Sequence, residues 1–279
     1  WHSALVAVGT FALLAAFTPA CAGAGDGSEL ALVLATCGLA HATGYPVWTL
    51  TGHAWVRALG VLGIAPVHAA NLFSVLGAAV AVGAVHALAA RLLAANGVRR
   101  TAASAVALMP SLAVMLSPLV IAVSVTAEVY SWHLAWVAGA SLFAHRAVRR
   151  IADRASEATS LRSMALGWGV LLGLGAVHHT TSVLFALPLT LMLAIVAVRS
   201  GRDIVTLIAV AAVGMLLPLL SLGYVAWHAS HEAIVRWPAL EPGLRGVLDH
   251  VTGAQYRGFL GHFAPSPNQA RLLATELAP

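Results

Sequence analysis

The sequence predicts an all-α polytopic membrane protein, and three observations carry that prediction. Of 279 residues, 60% are hydrophobic and only 9% are charged, with a mean hydropathy of +0.88, too apolar for a soluble domain of this length. Apolar runs of near-spanning or spanning length recur along the whole chain. The positive charge comes from arginine alone, because there is no lysine, and most of the arginines fall in three short clusters between the apolar runs. Such clusters fit loops anchored on one side of a bilayer better than a nucleic-acid face, so no nucleic-acid partner is expected.

The elements follow in order. Residues 4–19 read as a first span; a cleaved signal peptide is the alternative, since Ala-Cys-Ala-Gly-Ala follows, although no basic segment precedes the run. Residues 68–93 form a clear span closed by Arg91, Arg99 and Arg100. Residues 102–123 and 131–143 pair as a hairpin, with Thr126-Ala-Glu128-Val-Tyr130 at its far end and Arg146, Arg149, Arg150, Arg154 and Arg162 at its near end. A second hairpin, 163–177 with 181–198, carries His178-His179-Thr180 at its tip and Arg199 and Arg202 at its base. The last span is 204–225. The total is about seven spans, with every arginine cluster and the N-terminus on the cytoplasmic side. Residues 1–225 then make one transmembrane domain with an outer loop at 21–66, and 226–279 an outer segment rich in turn formers. That segment shows no return span, so the chain is expected to be an N-terminal portion.

The stretch 25–57 is neither a span nor a basic loop. Asp26 and Glu29 have the spacing of a helix N-cap and its N3 glutamate, which places both carboxylates at one helix mouth, in a helix running to about residue 38. His41 leads into the turn Gly44-Tyr45-Pro46. A second helix over 47–59 carries Trp48 and Trp55 on one face, read as an anchor at the membrane interface. The topology brings Asp26, Glu29, His41, Tyr45, Glu128, His133, His178 and His179 to the outer face from three separate segments. Polar and ionisable groups at a membrane boundary are costly, which makes them candidates for function, although helix capping is the simpler explanation of the two acids on spacing alone.

Other signals narrow the choice. The phosphate-binding glycine loop, the Gly-x-Ser-x-Gly elbow and the His-Glu-x-x-His zinc helix are all missing from the sequence. Cys21 and Cys37 lack zinc-site spacing; they are read as packing residues, with a disulfide as the alternative. Adjacent histidines in one turn seldom both face one ion, so no metal site is expected at His178-His179.

The ordered set Gly-Asp26-Gly-Ser-Glu29-Leu, Leu-Ala-His41-Ala-Thr-Gly44-Tyr45-Pro46, Asn71-Leu-Phe-Ser74, Ala-Glu128-Val-Tyr130-Ser-Trp-His133, His178-His179-Thr180 and Val-Thr-Gly-Ala-Gln-Tyr256-Arg257 resembles the transmembrane protein 260 family, whose animal members are protein O-mannosyltransferases. Gly27-Ser28, Ala42-Thr43 and Ala69-Ala70 depart from the family pattern and bear on substrate choice. The resemblance implies a glycosyltransferase of the C-type membrane fold, in which a polyprenyl-phosphate sugar enters from the bilayer and a protein or glycan acceptor arrives from outside. The protein is expected to be integral to a bacterial inner membrane, with its site on the periplasmic or extracellular face that the arginine clusters assign, and with no cofactor beyond the lipid-linked donor. Within that reading Asp26 is the general base and Glu29 its positioning partner, while Glu128 is an acceptor-binding acid. His41, Tyr45 and His133 complete the substrate site, and His178, His179, Tyr256 and Arg257 are the candidates for the leaving phosphate. The rival class is a transporter or lipid-binding scaffold, which would place charges or broken helices at mid-bilayer in repeated halves; His86 is the clearest polar group at that depth.

Overall fold

The computed structural model describes residues 1–23, 25–153, 155–231, 240–241 and 243–259, the side chains of 257–259 excepted. The described chain is helical throughout, without a strand. Its helices are α1 (His2–Ala15), α2 (Asp26–Thr36), α3 (Pro46–Val61), α4 (Pro66–Ala95), α5 (Arg100–Val106), α6 (Leu108–Met115), α7 (Pro118–Ala122), α8 (Tyr130–Ala152), α9 (Ala158–Ala176), α10 (Ser182–Arg199), α11 (Ile204–Leu219), α12 (Leu222–Ser230) and α13 (Gly243–Val251), followed by a 3₁₀ turn at Ala254–Phe259.

Among the described residues, three segments are long and apolar enough to cross a membrane: α4, α10 and the nearly continuous Ile204–Ser230 that comprises α11 and α12. α1 and the α5–α6 segment are apolar but shorter. The run expected as one span over 102–123 is instead three helices. Pro110 and Pro118 explain this, since each lacks the N–H that would continue the backbone ladder; Pro118 opens α7 directly after the extended Ser117.

α4 is the central post. Its middle is buried on all sides, from Ala69 to Gly83 with few breaks, and α1, α3 and α8 pack around it. At mid-helix His86, 2% exposed, bonds to Ser3 Oγ at 2.9 Å and to the Ser104 carbonyl at 3.1 Å. This satisfied bridge ties α1 and α5 to α4, which is a packing role. On the far side α9 and α11 approach through glycine. A Cβ on Gly169 would stand 1.9 Å from the Ala211 carbonyl oxygen, and one on Gly214 would stand 2.2 Å from that of Leu166. Only a residue without a side chain permits this distance, as in small-residue packing of membrane helices. α10 and α11 leave most of their apolar surface outward, Leu184, Leu187, Leu191, Ile208, Val213 and Leu217 among it, as lipid-facing helices do.

The bundle has two unlike ends. One gathers Arg91, Arg99, Arg146, Arg149, Arg150, Arg199 and Arg202, and there Arg202 Nε donates to the Ile151 carbonyl at 3.1 Å. The other gathers α2, α3, the loop before α8 and the turn between α9 and α10.

A carboxylate, imidazole and phenol relay at the arginine-poor end

The site starts with α2. The expected capping box is not formed: the residue before the helix is Gly25 (φ 66°), Asp26 is the first helical residue, and no side chain caps the end. Glu29 turns instead to His41. Cys37 ends the helix in the left-handed region (φ 55°), the Gly38 N–H closes on the Val33 carbonyl at 3.0 Å, and the chain doubles back beside α2. That return brings the His41 N–H to Glu29 Oε1 at 2.8 Å and His41 Nδ1 to Glu29 Oε2 at 3.0 Å. A carboxylate can only accept, so Nδ1 carries a proton.

The turn expected at Gly44-Tyr45-Pro46 is present, with Gly44 at φ 81° and Tyr45 at φ 42°. It aims the Tyr45 hydroxyl at His41 Nε2, 3.2 Å away. Glu29, His41 and Tyr45 thus form one relay of carboxylate, imidazole and phenol. Burial lowers the His41 pKa, but the bond to Glu29 and the charges of Glu29, Asp26 and Glu128 outweigh it and raise the value overall. Burial, with smaller contributions from neighbouring acidic groups, raises the Tyr45 phenol, which stays neutral.

Glu128 reaches the same place from another direction, and α4 holds it there. Asn71 and Ser74, one turn apart and fully buried, staple two loops together. Asn71 Nδ2 donates to the carbonyls of Pro19 (2.9 Å) and Cys21 (3.1 Å), and its Oδ1 accepts from the Ala127 N–H at 2.9 Å. Ser74 Oγ accepts from the Glu128 N–H at 2.9 Å and donates to its carbonyl at 3.0 Å. Beneath this clamp the Phe73 ring lies against those of Trp48, Trp55 and Trp132 in tilted contacts. Trp48 is a buried core residue and not an interface anchor, and half-buried Trp55 packs against the same core with its Nε1 donating to the Ala69 carbonyl at 3.0 Å. Burial, with the Asp26 charge second, pushes the Glu128 carboxyl up to about 7.

The histidines form an adjoining group. His178 points inward, with Nε2 donating to the Val129 carbonyl at 3.2 Å and its ring 6.3 Å from Tyr45, and burial drives its pKa down to about 3, so it is neutral. His179 faces outward. Thr181 Oγ1 links its Nδ1 (2.7 Å) to His133 Nε2 (3.0 Å). α13 covers the loop from above, His250 Nε2 donating to the Ala40 carbonyl at 3.1 Å. Tyr256 is exposed nearby and contributes to the upward shift of Tyr45. Arg257 lies in the 3₁₀ turn, but its side chain falls outside the described residues.

Asp26, Glu29, His41, Tyr45, Glu128, His133, His178 and His179 therefore meet at one end of the bundle. Asn71, Ser74, Thr181 and His250 were given no role from sequence. A buried Asn and Ser one turn apart near the end of an apolar helix is the signal that could have found the first two. Asp26, Glu29 and His41 also bring ligand-type atoms within 4.8 Å of one another, the one such group among the described residues. Both Glu29 oxygens, however, are already engaged by His41.

Residues 26–203 match the family model described as the protein O-mannosyl-transferase TMEM260 N-terminal domain. The matched segment begins at Asp26 and takes in the relay, the α4 clamp, Glu128 and the histidines. No curated protein and no solved structure matches the chain. The match covers well over half of the sequence and all the elements that build the relay, and the chain belongs to the TMEM260 N-terminal domain family.

Proposed function

We propose that the chain is an inverting membrane glycosyltransferase, which moves mannose or a similar hexose from a polyprenyl-phosphate donor to a hydroxyl of a protein or glycan acceptor. The family description supports transfer of mannose to protein. The observation that carries the mechanism is the contrast between neighbouring acids. Asp26 is exposed and has no hydrogen bond among the described residues, Glu29 is occupied by His41, and Glu128 is held near neutrality. An exposed carboxylate free of hydrogen bonds beside a carboxyl whose pKa burial raises to about 7 supplies a base and a hydrogen-bond donor in one site.

In this reading the Asp26 carboxylate takes the proton of the acceptor hydroxyl. The oxygen attacks the anomeric carbon on the face opposite the phosphate, and the bond to phosphate breaks, releasing polyprenyl phosphate. Glu29, His41 and Tyr45 fix the loop that carries Asp26, and protonated Glu128 donates to the acceptor or sugar. Tyr256, Arg257 and the outward His179 are the groups for the leaving phosphate; buried, neutral His178 instead shapes the wall. The bilayer position of the site calls for seven crossings: α1, α4, α5–α7, α8, α9, α10 and α11–α12, in a C-type arrangement. The arginine-rich end faces the cytoplasm and the relay faces the outer, periplasmic or extracellular, side of an inner membrane. The chemistry needs no cofactor beyond the lipid-linked sugar.

The test is transfer of labelled hexose from a synthetic polyprenyl-phosphate donor by the full-length protein in membranes, with the anomeric configuration of donor and product compared by NMR. Inversion is expected. A product that retains the donor configuration contradicts direct attack assisted by one base.

A further inference from the structure

Toward the opposite end of the bundle two cavities of contrasting character are built from the same turns of α8 and successive turns of α9. One, of about 650 Å³, is lined by Arg146, Arg149 and Arg150, with Ser156 and Ser160, and Asp153 and Glu157 also contribute to its wall. The other, of about 270 Å³, lies between α8, α9, α10 and α11 and is apolar; Ala147, Ile151, Met164, Trp168, Leu193 and Ile208 are among its walls. On α8 the two sets interleave, Arg146 and Arg150 beside Ala147 and Ile151, so one rotation of about 100° along the helix passes from the charged cavity to the apolar one.

The charge of the first cavity is unbalanced. Three arginines face two acids, and Asp153 Oδ1 is already engaged by the Ala155 N–H at 3.0 Å. Arg91 of α4 stands within electrostatic reach of Arg146. Among the described residues none of Arg91, Arg146, Arg149 and Arg150 makes an ion pair. Ile208 both lines the second cavity and is exposed on the apolar outer surface of α11, so the cavity opens to that surface.

We propose that these paired cavities bind one anionic phospholipid, its phosphate and headgroup on Arg146, Arg149 and Arg150 and one acyl chain between α8, α9, α10 and α11. A basic cavity between membrane helices with an apolar slot beside it complements an anionic lipid in both parts. The site lies at the other end of the bundle from the relay, and its existence is independent of the transferase reading.

The full-length protein is reconstituted in three bilayers: phosphatidylcholine alone, and phosphatidylcholine containing phosphatidylglycerol or phosphatidylethanolamine as the minor lipid. The lipids retained after gentle detergent extraction are then counted by native mass spectrometry. Phosphatidylglycerol is expected to be enriched over both other lipids. The variant R146Q/R149Q/R150Q, which changes only exposed side chains, is expected to lower that enrichment about tenfold or more. Ala194→Phe, which fills the apolar cavity and leaves every arginine in place, is expected to lower it as well. Equal retention of the three lipids, enrichment that survives the triple variant, or displacement of the lipid by inorganic phosphate alone would overturn the proposal.

Discussion

Asn71→Ala tests the clamp on which the position of Glu128 depends. The asparagine is fully buried and makes three hydrogen bonds, two to the loop at Pro19 and Cys21 and one to the loop at Ala127. At about 1 kcal/mol net for each bond, the substitution removes roughly 3 kcal/mol, and more if the freed backbone groups find no water. Ser74→Ala removes two bonds, roughly 2 kcal/mol. For a chain of this size, 3 kcal/mol corresponds to about 6–12 °C in apparent Tm. The assay is thermal unfolding of the full-length protein in detergent, followed by hexose transfer at a temperature where every variant is folded. Asn71→Ala should lose more stability than Ser74→Ala. Both should lose transfer at the permissive temperature, because the Glu128 backbone is no longer fixed beside α2. A variant with parent Tm and parent activity would refute the clamp.

Other outcomes follow from the same structure. Stability should fall as pH rises from about 4.5 through about 7, because Glu128 binds its proton more tightly folded than unfolded, and Glu128→Gln should flatten that fall; the check is Tm against pH for both proteins. His41 adds a loss in the same direction from about pH 6.5 upward, since its folded pKa is raised by Glu29. Gly169→Leu forces side-chain atoms onto the Ala211 carbonyl and should abolish recovery of monodisperse protein, whereas Gly139→Leu, with no atom within 4 Å of its added Cβ, should not. A membrane-impermeant maleimide added to intact cells should label the exposed native Cys21 and fail to label Ala155→Cys in a cysteine-free background; labelling at Ala155 would invert the membrane orientation. Chelation of divalent cations should leave transfer unchanged, because both Glu29 oxygens are held by His41; a loss restored by added cation would assign Asp26, Glu29 and His41 to a metal.

Periodicity and punctuation made the helices legible, along with the Gly44-Tyr45-Pro46 turn and the His178-His179 tip between α9 and α10. The details of the site depended on competition that spacing does not resolve. Glu29 three residues after Asp26 suits a capping box, but the left-handed Cys37 returns His41 to the same carboxylate, and an imidazole with a backbone N–H is the better partner. Trp48 and Trp55 share a face as expected, yet that face meets Phe73 rather than the lipid boundary. Pro110 and Pro118 divide a run whose hydropathy alone read as one span. Asn71 and Ser74 were hidden because a polar residue in an apolar helix shows its partner only after the loops at 19–21 and 127–128 are placed. Positions near Gly44 and Ala127 are outer in sequence terms but buried in the fold, since α13 and α4 cover them.

The most direct measurement compares Asp26→Asn with Glu29→Gln in hexose transfer by the full-length protein, with Tm recorded for each. Asp26 is exposed and caps nothing, so Asp26→Asn should keep parent stability while cutting transfer about a hundredfold or more, the scale of losing a positioned acid–base group. Glu29→Gln should lower both stability and transfer, because it breaks the relay to His41 and Tyr45. Parent-rate transfer by Asp26→Asn, with Glu29→Gln inactive at parent stability, would make Glu29 the base; parent-rate transfer by both would contradict catalysis by this loop.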